Sequence, residues 1–176
     1  MKTILDPHKF NVVIERLSHQ LIENHTDFSN TVLIGIQPRG IFLSNRVVDY
    51  LGTLVKSKLN YGKLDITFYR DDFNTGGELH LPNKTDIDFS IEGKDVVLID
   101  DVLFTGRTIR SAMDALLDFG RPKKVELLTL IDRRYSRQLP IQPDYVGLVI
   151  DSMHTEKVKV FWHERDGKDE VVMIGS

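Results

Sequence analysis

The sequence predicts an α/β fold, a mainly parallel sheet with flanking helices and a C-terminal hairpin. Three observations carry that prediction. Val32-Leu33-Ile34-Gly35-Ile36 and Val96-Val97-Leu98-Ile99 are continuous apolar runs, the pattern of strands buried on both faces. Each run leads through a short turn into apolar residues at helical spacing. The resulting order of strand, helix, strand, helix, strand places helices on both faces of one sheet. At 176 residues the chain reads as one domain, residues 1–176, large enough for a substantial core.

In chain order, Asp6-Pro7 is a helix start, with Asp as the cap and Pro in the first turn. Phe10, Val13, Ile14, Leu17 and Leu21 follow at helical spacing. Arg16 and His19 share one side of this helix and read as a solvated face. The second buried strand, residues 32–36, ends at Gln37-Pro38-Arg39-Gly40, and a helix bearing Leu43, Val47 and Leu51 runs to Gly52. Residues 63–70 alternate, with Leu64, Ile66 and Phe68 on one face, and predict a half-buried strand. Residues 71–89 hold two adjacent glycines, a proline and few apolar residues. A loop of that length inside a compact domain is usually functional or mobile.

The chain is organised around residues 96–108. After the buried strand come two adjacent acids, Asp100 and Asp101, then a turn containing Thr105, Gly106 and Thr108. An amphipathic helix follows, with Ile109, Ala112, Met113 and Leu116 inward and Gly120 closing it. A strand, a turn of small hydroxylated residues and a helix N-terminus form an anion site, because free N–H groups and the helix dipole favour phosphate. A plain helix cap explains Thr105 and Gly106 but leaves the acid pair without a role. Two acids beside a phosphate cradle call for something that bridges them, such as Mg²⁺ or sugar hydroxyls. Residues 124–131 give a further strand that ends at Asp132-Arg133-Arg134-Tyr135. Residues 144–150 give another. Val158, Val160 and Trp162 alternate in a strand that Asp166-Gly167 turns back into Val171-Val172-Met173-Ile174, a hairpin packed at one edge of the sheet.

Composition excludes several classes. The formal charge of −3 offers no global attraction for nucleic acid. With no cysteine there is neither a disulfide framework nor a thiolate metal site, which fits a cytoplasmic setting. No apolar run is long enough to span a bilayer. The six histidines are scattered, without metal-ligand spacing, and no Ser-His-Asp order or Walker lysine is present.

Residues 96–108 closely resemble the phosphoribosyl-pyrophosphate (PRPP) motif of the type I phosphoribosyltransferases: an apolar strand, two acids, mixed residues, then Thr-Gly-x-Thr. The resemblance implies the type I phosphoribosyltransferase fold and a set of roles. Leu103, Phe104, Thr105, Gly106, Arg107 and Thr108 would cradle the 5′-phosphate. Asp100 and Asp101 would serve the ribose hydroxyls and Mg²⁺, through water or directly. Arg39, with Pro38 and Gly40, matches the pyrophosphate loop. Residues 71–89 match the flexible flap that closes over PRPP, with Arg70, His80 and Lys84 as its available cations.

A narrower resemblance rests on Leu64-Asp65-Ile66-Thr67-Phe68-Tyr69-Arg70-Asp71-Asp72, Asp118-Phe119-Gly120-Arg121-Pro122 and Leu139-Pro140-Ile141-Gln142-Pro143-Asp144-Tyr145-Val146-Gly147. These segments are similar to the PyrR family, pyrimidine operon attenuators that are also uracil phosphoribosyltransferases. That implies a Mg²⁺-dependent uracil transferase, a homodimer or higher assembly, and binding of pyrimidine leader RNA. The alternatives are a nucleotide-sensing regulator and a transferase for another base. Three departures stand out: Pro38 where the loop usually has Thr, Arg134-Tyr135 in place of Gly-His, and Gly147-Leu148-Val149-Ile150-Asp151-Ser152 in place of Gly-Lys-Asn-Ile-Pro-Thr. By the resemblance, Asp132, Arg133, Leu148 and Val149 line the base site.

Overall fold

The computed structural model describes residues 1–71 and 82–175. Strand β1 (Lys2–Leu5) precedes helix α1 (Pro7–His25), whose cap is Asp6: its carboxylate accepts from the Lys9 N–H at 2.9 Å. Strand β2 (Thr31–Ile36) is buried along its whole length and leads into α2 (Gly40–Leu54), which continues through Gly52 rather than stopping there. Then come β3 (Asn60–Leu64), β4 (Asp95–Leu103), α3 (Arg107–Leu116), β5 (Lys124–Arg134) and β6 (Tyr145–Asp151). Five of these strands form one parallel sheet in the order β3-β2-β4-β5-β6.

The two faces of the sheet carry separate cores. Alternate residues of β2 and β4, such as Leu33, Val97 and Ile99, pack with Phe10, Leu17, Leu43 and Leu51 of α1 and α2. The other set, Val32, Ile34, Val96 and Leu98, packs with Ile109, Ala112 and Leu116 of α3. A period of two along each strand explains the division. Burying both faces is also why these strands read as unbroken apolar runs.

Three further expectations are corrected. The strand predicted over residues 63–70 ends at Leu64. Asp65 accepts from both the N–H and the hydroxyl of Thr67 (3.2 and 2.7 Å), which folds residues 67–69 into a 3-10 turn and leaves Phe68 exposed. Met113 points outward, and Ala115 takes the inward position on α3. Gly120, at φ +129°, ends a 3-10 turn that prolongs the helix rather than the helix itself.

The C-terminal hairpin, β7 (Lys157–Phe161) and β8 (Glu170–Ile174), does not extend the parallel sheet. It joins β1 in a separate antiparallel sheet, β1-β8-β7, and a one-turn helix α4 (His163–Asp166) lies in its connection. Trp162 explains this placement: its ring is fully buried against Phe10 (5.0 Å, edge-on) and Phe42 (5.9 Å, stacked), so the hairpin is drawn over α1 and α2. Arg46 of α2 completes the attachment with paired hydrogen bonds to Glu164 (2.8 and 2.9 Å) and Asp169 (2.7 and 3.0 Å). The small sheet forms a hood over one end of the main one.

Candidate active site

In an open parallel sheet the C-terminal strand ends form the ligand crevice. Here β2 ends at Gln37-Pro38-Arg39, where the Gln37–Pro38 peptide is cis, and β4 ends just before the turn of residues 104–106. Asp100 and Asp101 occupy β4 itself and are both buried, at 7% and 5% exposure. The Asp100 carboxylate accepts from the Asp101 N–H at 2.9 Å, and the Asp101 carboxylate accepts from the Nε of Arg39 at 3.0 Å. Arg39 also donates through Nη2 to the Val160 carbonyl at 2.6 Å, which ties the β2 loop to the hood.

Burial raises the Asp100 pKa well above the ordinary carboxylate value, and the neighbouring charge of Asp101 adds to it. Burial raises Asp101 as well, but the Arg39 guanidinium opposes the rise. Two buried carboxylates on consecutive residues share one cation, and this pair is therefore short of positive charge. Among the described residues no cluster of three or more His, Asp or Glu is arranged to hold a metal. A divalent ion here would depend on the pair plus oxygens from a ligand or water, the coordination that Mg²⁺ commonly takes.

Three adjoining cavities run along this edge. The first, about 310 Å³, is lined by Asp100, Arg70 and residues 103–108. The second, about 570 Å³, is lined by Gln37, Pro38, Arg39 and both acids, with Arg70, Asn83 and Thr108. The third, about 450 Å³, lies under the hood between Arg39, Asp101, Arg165 and residues 158–161. Only the middle cavity meets both acids; Asp100 serves one end of the row and Asp101 the other. Gly106, at φ +91°, opens α3 and turns the chain into the first cavity.

Gly40, expected in the pyrophosphate loop, is also required by packing, since a Cβ there would lie 2.5 Å from the Ile99 carbonyl oxygen and 3.0 Å from the Asp100 Cα. The missing side chain lets α2 start directly against β4. Lys84 keeps an exposed side chain, while its carbonyl accepts from the Gln37 amide at 2.7 Å. His80 and residues 72–81 of the expected flap lie outside the described residues.

The expected base-site residues divide. Strand β5 runs three residues beyond its predicted end, so Asp132 and Arg133 sit in the sheet, buried. Arg133 donates to Ser152 Oγ (2.8 Å) and to the carbonyls of Met153 and Glu156 (3.0 and 2.8 Å), and its guanidinium lies 4.0 Å from the Phe104 ring centre. Asp132 pairs with Arg137. Leu148 packs partly buried on the α1–α2 core, and Val149 is exposed on the edge strand; neither lines the three cavities. The sequence reads Val160 and Trp162 only as strand residues and gives Arg137 no role, because their part here comes from contacts between segments far apart in the chain.

The fold and this strand-end site define a phosphoribosyltransferase. The phosphoribosyl transferase domain profile matches residues 1–165. A "Bifunctional protein PyrR" of Desulfosudis oleivorans is 45% identical over 97% of this chain and 94% of its own length. Its namesake in Enterococcus faecalis is 44% identical over 98% and 96%. Hypoxanthine phosphoribosyltransferase structures share the fold: one from Staphylococcus aureus (TM-score 0.71, 23% identity, 97% of this chain and 90% of that one) and one from Trypanosoma cruzi (0.71, 16%, 99% and 97%). The chain belongs to the phosphoribosyltransferase family, and within it to the PyrR group. Among the described residues no helix is long and apolar enough to cross a membrane.

Proposed function

We propose that this chain transfers the ribose 5-phosphate unit of PRPP to uracil, releasing pyrophosphate and uridine 5′-monophosphate. The observation that carries the reading is the row of three cavities sharing Asp100 and Asp101. The first, bounded by residues 103–108 and the start of α3, suits the 5′-phosphate. The second, beside Pro38 and Arg39, suits pyrophosphate, with Arg70 reaching it from the flap side. The third lies beyond Asp101, beside the apolar Val158 and Phe161 of the hood, and suits the flat base.

In the reaction the C1′–O bond to pyrophosphate breaks, the C1′–N1 bond to uracil forms, and N1 gives up its proton. Positive charge develops on the ribose as the leaving group departs, by analogy with glycoside transfer. The buried carboxylates of Asp100 and Asp101 favour that charge, and Arg39 opposes the charge growing on pyrophosphate. Asp100 and Asp101 would hold Mg²⁺, which when bound would neutralise the diphosphate oxygens. Water would consume the cation, so the reaction needs a cleft shielded from solvent, on which the hood borders.

Incubation with PRPP, Mg²⁺ and a panel of bases, reading pyrophosphate release, tests the reading. Release with uracil alone is expected. Release with hypoxanthine or guanine but not uracil would transfer the assignment to a purine. No release with any base would leave the nucleotide-sensing regulator as the better account.

A further inference from the structure

We propose that Arg137, seated on Asp132, is a positioning residue that sets the phosphate-binding turn from behind. The inference rests on the reading of residues 103–108 as the 5′-phosphate cradle. Asp132 lies beside Leu103 in the β4–β5 register, one residue before the turn. Its buried carboxylate accepts from Nη2 of Arg137 at 2.5 Å. The other arm of the same guanidinium, Nη1, donates to the carbonyl of Phe104 at 2.5 Å. The next two residues continue the pattern, since the N–H groups of Gln138 and Leu139 both donate to the carbonyl of Thr105 (2.9 and 3.2 Å).

Two successive carbonyls of the turn are thus held from one side by one three-residue segment. A trans peptide is planar, and its C=O and N–H point in opposite directions. Fixing the Phe104 carbonyl toward Arg137 therefore turns the Thr105 N–H away from it. Fixing the Thr105 carbonyl does the same for the Gly106 N–H. Among the described residues neither N–H donates to a backbone carbonyl. Successive N–H groups aimed the same way form an anion-binding concavity, here continuous with the start of α3. Ile141 backs the arrangement, since a Cβ on Gly106 would lie 3.3 Å from its side chain.

The chemistry of the brace is specific to Arg. A planar guanidinium can reach a carboxylate with one arm and a carbonyl with the other, whereas a Lys ammonium is a single point on a flexible stem. Asp132 then serves the phosphate rather than the base. Arg133 adds a second support by lying over the ring of Phe104.

The test compares the full-length chain with Arg137→Met, Arg137→Lys and Asp132→Asn, using ribose 5-phosphate as the calorimetric probe and steady-state kinetics with PRPP and uracil. Arg137→Met should weaken ribose 5-phosphate binding and raise KM for PRPP by about tenfold or more, the scale of losing a support behind a binding group. KM for uracil should stay within about twofold. Asp132→Asn should show the same split at smaller size, and Arg137→Lys should recover part of the loss. If Arg137→Met does not fold, the other two variants carry the same comparison. Unchanged ribose 5-phosphate binding, or equal losses for PRPP and uracil, would overturn the brace alone. A wild-type chain that binds neither ribose 5-phosphate nor PRPP would overturn the transferase reading and the brace with it.

Discussion

Arg39 and Asp101 are joined across two strand ends, with Nε of the guanidinium 3.0 Å from the buried carboxylate. Burial pushes the Asp101 pKa up, and the Arg39 guanidinium limits that rise. Removing the cation should raise the Asp101 pKa further. For Arg39→Ala the acidic limb of the kcat/KM profile should therefore move to higher pH. Turnover should also fall about a hundredfold, because the leaving pyrophosphate loses its fixed charge. A lowered plateau with an unmoved acidic limb would show that Arg39 does not control Asp101.

Asp100 is the more costly of the two acids. Its folded-state pKa is raised by burial and by Asp101, so the native state holds the proton at pH values where the unfolded chain has released it. The sign follows from linkage: where the native state binds more protons, stability falls as pH rises. The loss begins above the unfolded carboxylate value and is complete above the folded one. Asp100→Asn removes the buried charge. It should raise stability near neutral pH by about 1 kcal/mol, flatten that pH dependence, and cut turnover about a hundredfold. Denaturant melts at acid and neutral pH, with activity beside them, check all three outcomes; an Asn variant less stable at neutral pH than the parent would refute the prediction.

Much of this was legible in the sequence because strands buried on both faces leave an unmistakable run. Residues 96–108 disclosed strand, acids, turn and helix in order, and Asp6 disclosed its cap. What stayed hidden arises from contacts between distant segments. The hood depends on Trp162 reaching Phe10 and Phe42, and β1 is a four-residue strand that exists because β8 pairs with it. The strand expected at residues 63–70 alternates correctly, but Asp65 captures Thr67 and the local turn wins. The sequence ends its strand at residue 131, since nothing local announces that β5 carries on to Arg134.

Gly40 offers a purely steric test. A methyl group there would meet the backbone of Ile99 and Asp100, neither of which is the end of a flexible side chain. Gly40→Ala should therefore push α2 away from β4, with a cost of about 2–3 kcal/mol, the range for overpacking. Because the displaced atoms include Asp100, KM for PRPP should rise with the loss of stability. Gly52→Ala is the control, since a Cβ there meets nothing within 4 Å, and a helical Ala should be neutral or slightly stabilising. Equal melting midpoints for the two variants would refute the steric account.

The PyrR resemblance points to RNA, and by that resemblance Arg16 and His19 would stand on an RNA-facing side of the first helix. In this fold both are already engaged. Arg16 donates to the carbonyls of Val146 and Gly147 in β6, and the His19 ring nitrogen lies 3.3 Å from the hydroxyl of Tyr50. Gln142 and Leu148 stand where the attenuators tend to carry Arg and Lys, and Glu15 sits beside Arg16. Each missing cation removes one phosphate contact, and RNA affinity depends steeply on the number of such contacts. A formal charge of −3 supplies no compensating field. This chain should therefore bind pyrimidine leader RNA weakly or not at all at physiological salt. Gln142→Arg combined with Leu148→Lys should strengthen binding and steepen its salt dependence by about one contact per added cation. Filter binding to an attenuator hairpin and a scrambled control, with and without uridine 5′-monophosphate, decides the matter. Tight, nucleotide-dependent binding of the hairpin alone by the unmodified chain would refute the prediction.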